Sequence, residues 1–130
     1  MKTDLLYLTY VATFTAVMFL PYVLDRIIVW GLVDTVGYPD NPKPLAPWAE
    51  RLRKAHANAI ENLAVFATLV LVAHAVGVTG SSVENAAILY FWSRVVHAVA
   101  YTLKWPWIRT LGFFGGFVAQ MMVAVSLLSR

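Results

Sequence analysis

The sequence predicts an all-α protein, a four-helix bundle embedded in a membrane. Of its 130 residues, 60% are hydrophobic and 13% charged, whereas soluble proteins average about 45–50% apolar and about 25% charged residues. Four stretches approach the ~20 residues that cross ~30 Å of hydrocarbon. Leu5–Leu24, Asn62–Val83 and Thr110–Ser129 carry no charge, and Asn85–Leu103 is interrupted only by Arg94. We therefore expect a single membrane domain over residues 1–130.

The first helix is predicted over residues 5–33. It continues past Pro21, since neighbouring helices in a membrane bundle can satisfy the carbonyl that a proline frees. A cleaved signal peptide is not expected, because Asp4 lies where basic residues should be, the apolar run is too long and no A-x-A site follows. The next stretch, VGYPDNPKPLAP, has four prolines and is predicted to be a loop.

The second and third helices are predicted over residues 49–76 and 82–103. The second is longer than a bilayer requires and opens with several polar residues, so its first turns should lie at the level of the lipid head groups. Gly77 and Gly80 end it. The S-x-x-E pattern at residues 81–84 predicts a capping box at the start of the third helix.

The fourth helix is predicted over residues 108–128, after a connection, KWPW, whose two tryptophans suit a membrane interface. Gly112 and Gly116 form a GxxxG pair within it. Small residues at this spacing let two helices approach closely in lipid, and close packing is the role we expect for both glycines.

Basic residues are concentrated at two of the three connections between helices. The net charge is only +3, and we expect no nucleic-acid partner. The positive-inside rule places the first and third connections in the cytoplasm and both termini outside. The short chain without a targeting signal indicates a bacterial inner membrane. The basic residues in or beside these connections are Lys43, Arg51, Arg53, Lys54, Lys104 and Arg109.

Three of the polar residues that open the second helix lie on one side of it. Each residue advances about 100° around a helix, so Asn58 lies at about 40° and Glu61 at about 340° when Lys54 is taken as zero. These three residues form one polar row, while Arg53 and His56 point elsewhere. The row lies close to the connection that the charge pattern assigns to the cytoplasm.

The third helix has a polar face that begins in the middle of the membrane. Tyr90, Arg94, His97, Tyr101 and Lys104 fall within a sector of about 80°. An arginine at that depth costs about 2.5–3.5 kcal/mol on insertion scales. We therefore expect Arg94 to face the interior of the bundle and to be paired.

Glu61 is the first expected partner of Arg94, and Asp25 the second. In one interpretation this ion pair only locks the bundle. In the other, cations outnumber carboxylates at this end and bind an anionic ligand, with Glu61 free for an ammonium group and Asn58 for amides. No metal site is predicted, because His56 and His74 lie about 27 Å apart along one helix. The chain has no cysteine, so any thiol must come from a substrate.

The stretches RKAHANAIEN and RVVHAVAY resemble the MAPEG family, the membrane-associated proteins in eicosanoid and glutathione metabolism. The second helix carries the family pattern R-[RK]-A-H-x-N-x-x-E, and the third carries R-x-x-H-x-x-x-Y. The loop YPDNP and an arginine after the third connection extend the resemblance over nearly the whole chain. The second-helix pattern is the most specific of these.

The resemblance implies a homotrimer of four-helix protomers that binds glutathione as co-substrate between protomers on the cytoplasmic side. It implies that basic residues of the first two helices hold the glutathione carboxylates and that Glu61 takes the ammonium group. The residues that the resemblance assigns to glutathione binding are Arg26, Arg53, Lys54, Asn58, Glu61, Arg94, His97 and Tyr101.

The resemblance also implies two catalytic residues at the start of the fourth helix. Arg109 would lie near the glutathione sulfur, where a cation favours the reactive thiolate over the thiol. Thr110 stands where the family's prostaglandin synthase has a serine, and its hydroxyl would donate to the thiolate. Ala57 stands where that synthase has an arginine, and Phe113 stands where the family often has a tyrosine; both departures argue against eicosanoid synthesis.

The implied function is an integral membrane glutathione transferase or peroxidase that acts on lipophilic electrophiles arriving through the bilayer. One alternative is a non-catalytic, lipid-binding or scaffold member of the family, against which Arg94, Tyr101 and Arg109 argue. Another is a small four-helix transporter. Such transporters depend on an acidic residue in the first span, and Leu5–Leu24 has none.

Overall fold

The protein is entirely helical. A computed structural model describes all residues, Met1–Arg130. Three helical stretches are long and apolar enough to cross a membrane: Thr3–Trp30, Pro47–Ala75 and Pro106–Leu128. The all-α class is confirmed, while the fourth span stays a prediction. The helices are α1 (Thr3–Val17), α2 (Phe19–Trp30), α3 (Leu32–Val36), α4 (Pro47–Ala75), α5 (Ser81–Thr102) and α6 (Pro106–Leu128).

The first span extends past Pro21 and runs from Thr3 to Trp30, three residues short of the predicted end at residue 33. Pro21 has no N–H for the carbonyl of Val17, and beside it the N–H of Met18 bonds to the Thr15 carbonyl at 3.4 Å, while the Met18 backbone stays helical with φ of −60° and ψ of −23°. The helix breaks at Gly31, which has φ of 83°. The proline therefore causes a local irregularity one turn before its own position without ending the span.

The other helix boundaries lie within two residues of the predicted ones. Pro47 and Pro106 begin α4 and α6, since a proline in the first turn gives up an N–H that has no helical partner. The predicted capping box is wrong: Gly80 precedes α5 with φ of 136°, and no side chain caps the helix. Instead the Glu84 N–H reaches the Gly80 carbonyl at 3.2 Å.

Helix α5 occupies the interior of the bundle and packs against α1, α4 and α6. Nine of its residues are buried, among them Tyr90, Arg94 and His97. Its 22 residues span about 33 Å, but it is not among the three stretches that are apolar enough to cross a membrane. Its interior position accounts for its polar content, because α5 buries Arg94 and His97 within the protein.

The glycines of α6 bring that helix onto the backbone of α5. A Cβ atom added at Gly112 would lie 2.9 Å from the backbone nitrogen of His97 and 3.0 Å from the Ser93 carbonyl oxygen. One added at Gly116 would lie 3.3 Å from Cδ of Arg94. The close packing predicted for the GxxxG pair is confirmed, and it fixes the position of the polar face of α5.

Gly112→Ala should therefore destabilise the protein by about 1–3 kcal/mol, the usual cost of overpacking. The added methyl group meets backbone atoms of α5, which move only if the two helices separate. Thermal unfolding in detergent measures this loss. Gly116→Ala is the matched control and should lose less, because its nearest neighbour is a flexible side chain. Equal melting temperatures for the two variants would contradict the packing described.

Candidate functional site

Arg94 is a buried cation with no carboxylate partner. Its side chain is 3% exposed, and its Nη2 donates to Oδ1 of Asn58 on α4 at 2.6 Å. The chain has one ion pair, between Arg53 and Glu50 at 2.9 Å. The predicted ion pair of Arg94 is therefore wrong, and a neutral amide takes the place of the acid.

The two carboxylates expected beside Arg94 lie elsewhere. Glu61 is exposed on α4. Asp25 is buried, and its Oδ2 accepts the backbone N–H of Ala46 at 2.9 Å. Asp25 thus holds the loop before α4 in place. Neither acid compensates the charge of Arg94 within the chain.

Several buried polar atoms on this face of α5 have no partner. They are Nε of Arg94, the hydroxyl of Tyr90 and Nδ1 of His97. A buried charge without compensation is costly, and so is an unpaired buried polar group. An anionic group from outside the chain would compensate the charge of Arg94. Its oxygen atoms could also accept hydrogen bonds from some of the unpaired polar atoms.

A chain of side-chain amides continues from Arg94 into the bundle. Nδ2 of Asn62 donates to the backbone carbonyl of Asn58 at 2.9 Å and to its Oδ1 at 3.3 Å. Gln120 on α6 is 6% exposed, and its Nε2 lies 3.3 Å from the Asn62 carbonyl and 3.4 Å from Asn62 Oδ1. We name Arg94, Asn58, Asn62 and Gln120 the amide relay. It joins three helices.

The direction of every bond in the amide relay is fixed by chemistry. Arginine can only donate, so the Asn58 atom that faces Arg94 must be its oxygen. A backbone carbonyl can only accept, so the nitrogens of Asn62 and Gln120 must face the carbonyls they touch. It follows that Nδ2 of Asn58 is left without a partner in the chain and can donate to a ligand oxygen.

Gln120→Leu should lower the stability of the protein by about 1 kcal/mol, since it leaves the half-buried Oδ1 of Asn62 without a donor. The measurement is thermal unfolding in detergent. The double variant Asn62→Leu with Gln120→Leu is the control, and it should recover part of the loss because both partners are then apolar. Additive losses would mean that the two amides are not coupled.

The other predicted site residues of α2 and α4 are more exposed than Arg94. Arg53 and Lys54 are exposed and Asn58 is half-buried, so the predicted row lies along an open flank of α4. The guanidinium of Arg26 stacks on the Trp30 ring at 5.0 Å. His56 packs inside the chain, with its Nδ1 2.7 Å from the Tyr22 hydroxyl.

A second polar cluster lies at the end of α5. The Arg109 guanidinium is 5.1 Å from the centre of the Tyr101 ring, and that ring is 5.6 Å from the ring of His97. Arg109 and Tyr101 line a cavity of about 370 Å³ together with Arg51 and other residues. The rings of Tyr101 and His97 thus connect this cavity to the face that carries Arg94.

Thr110 stands beside Arg109 but points into its own helix. Its hydroxyl donates to the Pro106 carbonyl at 2.9 Å, and the side chain is exposed. A threonine hydroxyl can leave such a bond by rotation about χ1. Of these two residues, Arg109 lines the cavity at the end of α5 and Thr110 does not.

Sequence reasoning missed three residues of these clusters: Arg51, Asn62 and Gln120. Asn62 is one helical turn beyond Asn58, and this spacing could have revealed it. Gln120 is a polar residue in an otherwise apolar span, which is itself a signal of an interior position. Arg51 lies in the stretch of basic residues before α4, and nothing in the sequence distinguishes it from its neighbours.

The model of the MAPEG family matches residues 7–129, a range that includes every residue of the two clusters described above. No curated protein matches the chain.

Proposed function

Because the chain belongs to the MAPEG family, whose members act in eicosanoid and glutathione metabolism, we propose that it is an integral membrane glutathione transferase. It joins the glutathione thiolate to lipophilic electrophiles that reach it through the bilayer. With hydroperoxides it acts as a peroxidase, in which two glutathione thiols are oxidised to a disulfide while the hydroperoxide is reduced to an alcohol and water.

The observation that carries this proposal is the uncompensated charge of Arg94. A glutathione carboxylate supplies the negative charge that neither Glu61 nor Asp25 provides, and a charged hydrogen bond of this kind is among the strongest in proteins. Beside it, the free Nδ2 of Asn58 donates to a carbonyl or carboxylate oxygen of the tripeptide. The amide relay thus makes Asn58 a donor toward the ligand.

The other ends of glutathione fit the open flank of α4. Glu61 is exposed and unpaired, so it is available for the glutamyl ammonium group. Lys54 is available for a second carboxylate. The complete set that we propose for glutathione binding is Arg26, Arg53, Lys54, Asn58, Glu61, Arg94, His97 and Tyr101.

Arg109 acts at the sulfur. Its cation lowers the pKa of the glutathione thiol and so raises the fraction of thiolate, which is the nucleophile. The thiolate then attacks the electrophilic carbon, a C–S bond forms, and the leaving group departs with its electron pair. Thr110 adds a hydrogen bond to the thiolate after its hydroxyl turns away from Pro106.

The active form that we propose is a homotrimer of four-span protomers in a bacterial inner membrane, with the first and third connections in the cytoplasm. Lys54 and Glu61 are exposed on a single protomer, and a small ligand is usually held in a largely enclosed pocket. A neighbouring protomer against α4 would enclose it. Crosslinking in the native membrane should yield trimers.

Isothermal titration of the detergent-solubilised protein with glutathione tests the proposal. We expect saturable binding, and weaker binding of N-acetylglutathione, whose blocked amine cannot pair with Glu61. The variant Glu61→Gln should remove the difference between the two ligands. The proposal fails if neither ligand binds saturably at millimolar concentration.

A further inference from the structure

Two side chains of α2 are bonded to the connection that leads into α4. Asp25 is 9% exposed, and its Oδ2 accepts the backbone N–H of Ala46 at 2.9 Å. The indole Nε1 of Trp30 donates to the backbone carbonyl of Lys43 at 2.6 Å. Ala46 directly precedes Pro47, at which α4 begins. The two bonds therefore hold the chain to α2 immediately before α4.

The carboxylate of Asp25 lies at the N-terminus of a helix that has no side-chain cap. Ala46 has no side-chain oxygen, and no side-chain hydrogen bond caps α4. A negative charge at this end of a helix is favoured by the helix dipole. A hydrogen bond with a charged acceptor is also about twice as strong as one between neutral groups. A residue of α2 thus stabilises the start of α4 and fixes one helix relative to the other.

The same part of α2 carries Arg26, which does not pair with its neighbour Asp25. The one ion pair of the chain joins Arg53 and Glu50. The Arg26 guanidinium stacks on the Trp30 ring at 5.0 Å, and its buried Nε has no partner. Trp30 therefore holds the connection with its N–H and Arg26 with the face of its ring. The two bonds to the connection set the position of Arg26 relative to α4.

We propose that Asp25 is a positioning residue for glutathione binding. It holds Arg26 of α2 in a fixed position relative to Lys54 of α4, so that cations of two helices meet the two carboxylates of one ligand. This inference rests on the proposed function, which gives both cations to glutathione. Asp25 acts through the backbone of Ala46 and not by contact with the ligand. Order that exists before binding need not be created by the ligand, and affinity is higher for that reason.

Loss of the Asp25 bond should loosen the connection without detaching α2. The Tyr22 hydroxyl lies 2.7 Å from Nδ1 of His56 and joins α2 to α4 independently of Asp25. The two helices also pack against each other. Variants of Asp25 are therefore expected to fold, and their ligand binding can be measured.

Asp25→Leu tests the proposal because it removes the acceptor and keeps a side chain of similar size. We expect glutathione affinity to fall about tenfold, as for the loss of one hydrogen bond to a charged group. The KM for glutathione should rise equally, while kcat at saturating glutathione stays unchanged. Calorimetry and steady-state kinetics in detergent measure these effects. A merely structural role would lower the melting temperature and leave KM unchanged.

Asp25→Asn separates the oxygen atom from the charge. Asparagine keeps a side-chain oxygen that can accept the Ala46 N–H, so this variant should retain most of the affinity. Asp40→Leu is the control, since it removes an exposed carboxylate from the same connection and should change nothing. In the ligand-free protein, amide hydrogen exchange of residues 43–50 should be faster in Asp25→Leu than in the parent protein or Asp25→Asn.

Equal loss of affinity in Asp25→Leu and Asp25→Asn would overturn the proposal, because the charge and not the bond would then matter. So would an unchanged KM in Asp25→Leu, or unchanged hydrogen exchange. If the parent protein and Asp25→Leu bind glutathione equally, this inference alone fails. If the parent protein does not bind glutathione, the proposed function fails and this inference fails with it.

Discussion

Arg94→Met should lower the affinity for glutathione at least about thirtyfold. Removing one member of a buried, hydrogen-bonded charge pair costs about 2–5 kcal/mol, and the pair in question is Arg94 with a glutathione carboxylate. Isothermal titration of the variant in detergent measures the change. No other single substitution should weaken binding as much, because the remaining cations of the site are exposed or half-buried.

The same variant should fold as well as the parent protein or better. Without ligand, Arg94 is a buried cation that bonds only to a neutral amide, and an apolar residue of similar volume avoids the cost of burying a charge. Asn58 keeps its bond from Asn62. Arg94→Lys is the control that keeps the charge. Unchanged affinity in Arg94→Met, or collapse of its stability, would contradict the role given to Arg94.

Arg109→Ala should lower kcat about 10²–10³-fold, the usual effect of removing one group that stabilises a reacting anion. Its effect on glutathione affinity should be much smaller, since Arg109 acts on the thiolate and other residues hold the carboxylates. Steady-state kinetics with a lipophilic electrophile, together with calorimetry, separate the two effects. Arg109→Lys, which keeps a cation, should retain more activity. Equal losses in kcat and affinity would make Arg109 a binding residue only.

The positions of the helices and of their polar faces were predictable from the sequence. Apolar runs gave the bounds of α4 and α6 to within two residues, and the helical period placed Arg94, His97 and Tyr101 on one face. The local irregularity at Met18 was not predicted, because a proline in a membrane helix is compatible with either a bend or a regular helix. Pro21 alone does not distinguish these outcomes.

The partner of Arg94 could not be predicted, for a different physical reason. Helical period shows that Asn58 and Glu61 share one row, but the crossing of α4 and α5 decides which turn of that row faces Arg94. The structure selects Asn58, which Asn62 and Gln120 then orient. Contacts between different helices cannot be predicted from the period of either helix alone, and the amide relay depends on two of them, from Arg94 to Asn58 and from Gln120 to Asn62.

The central claim is that this membrane protein binds glutathione and holds it as the thiolate. Ultraviolet difference absorbance during titration with glutathione measures the thiolate directly. We predict an absorbance that rises to saturation with the parent protein, and that is lost in Arg109→Ala although calorimetry still detects binding. Saturable binding without any thiolate absorbance in the parent protein, or no binding at all, would contradict the claim.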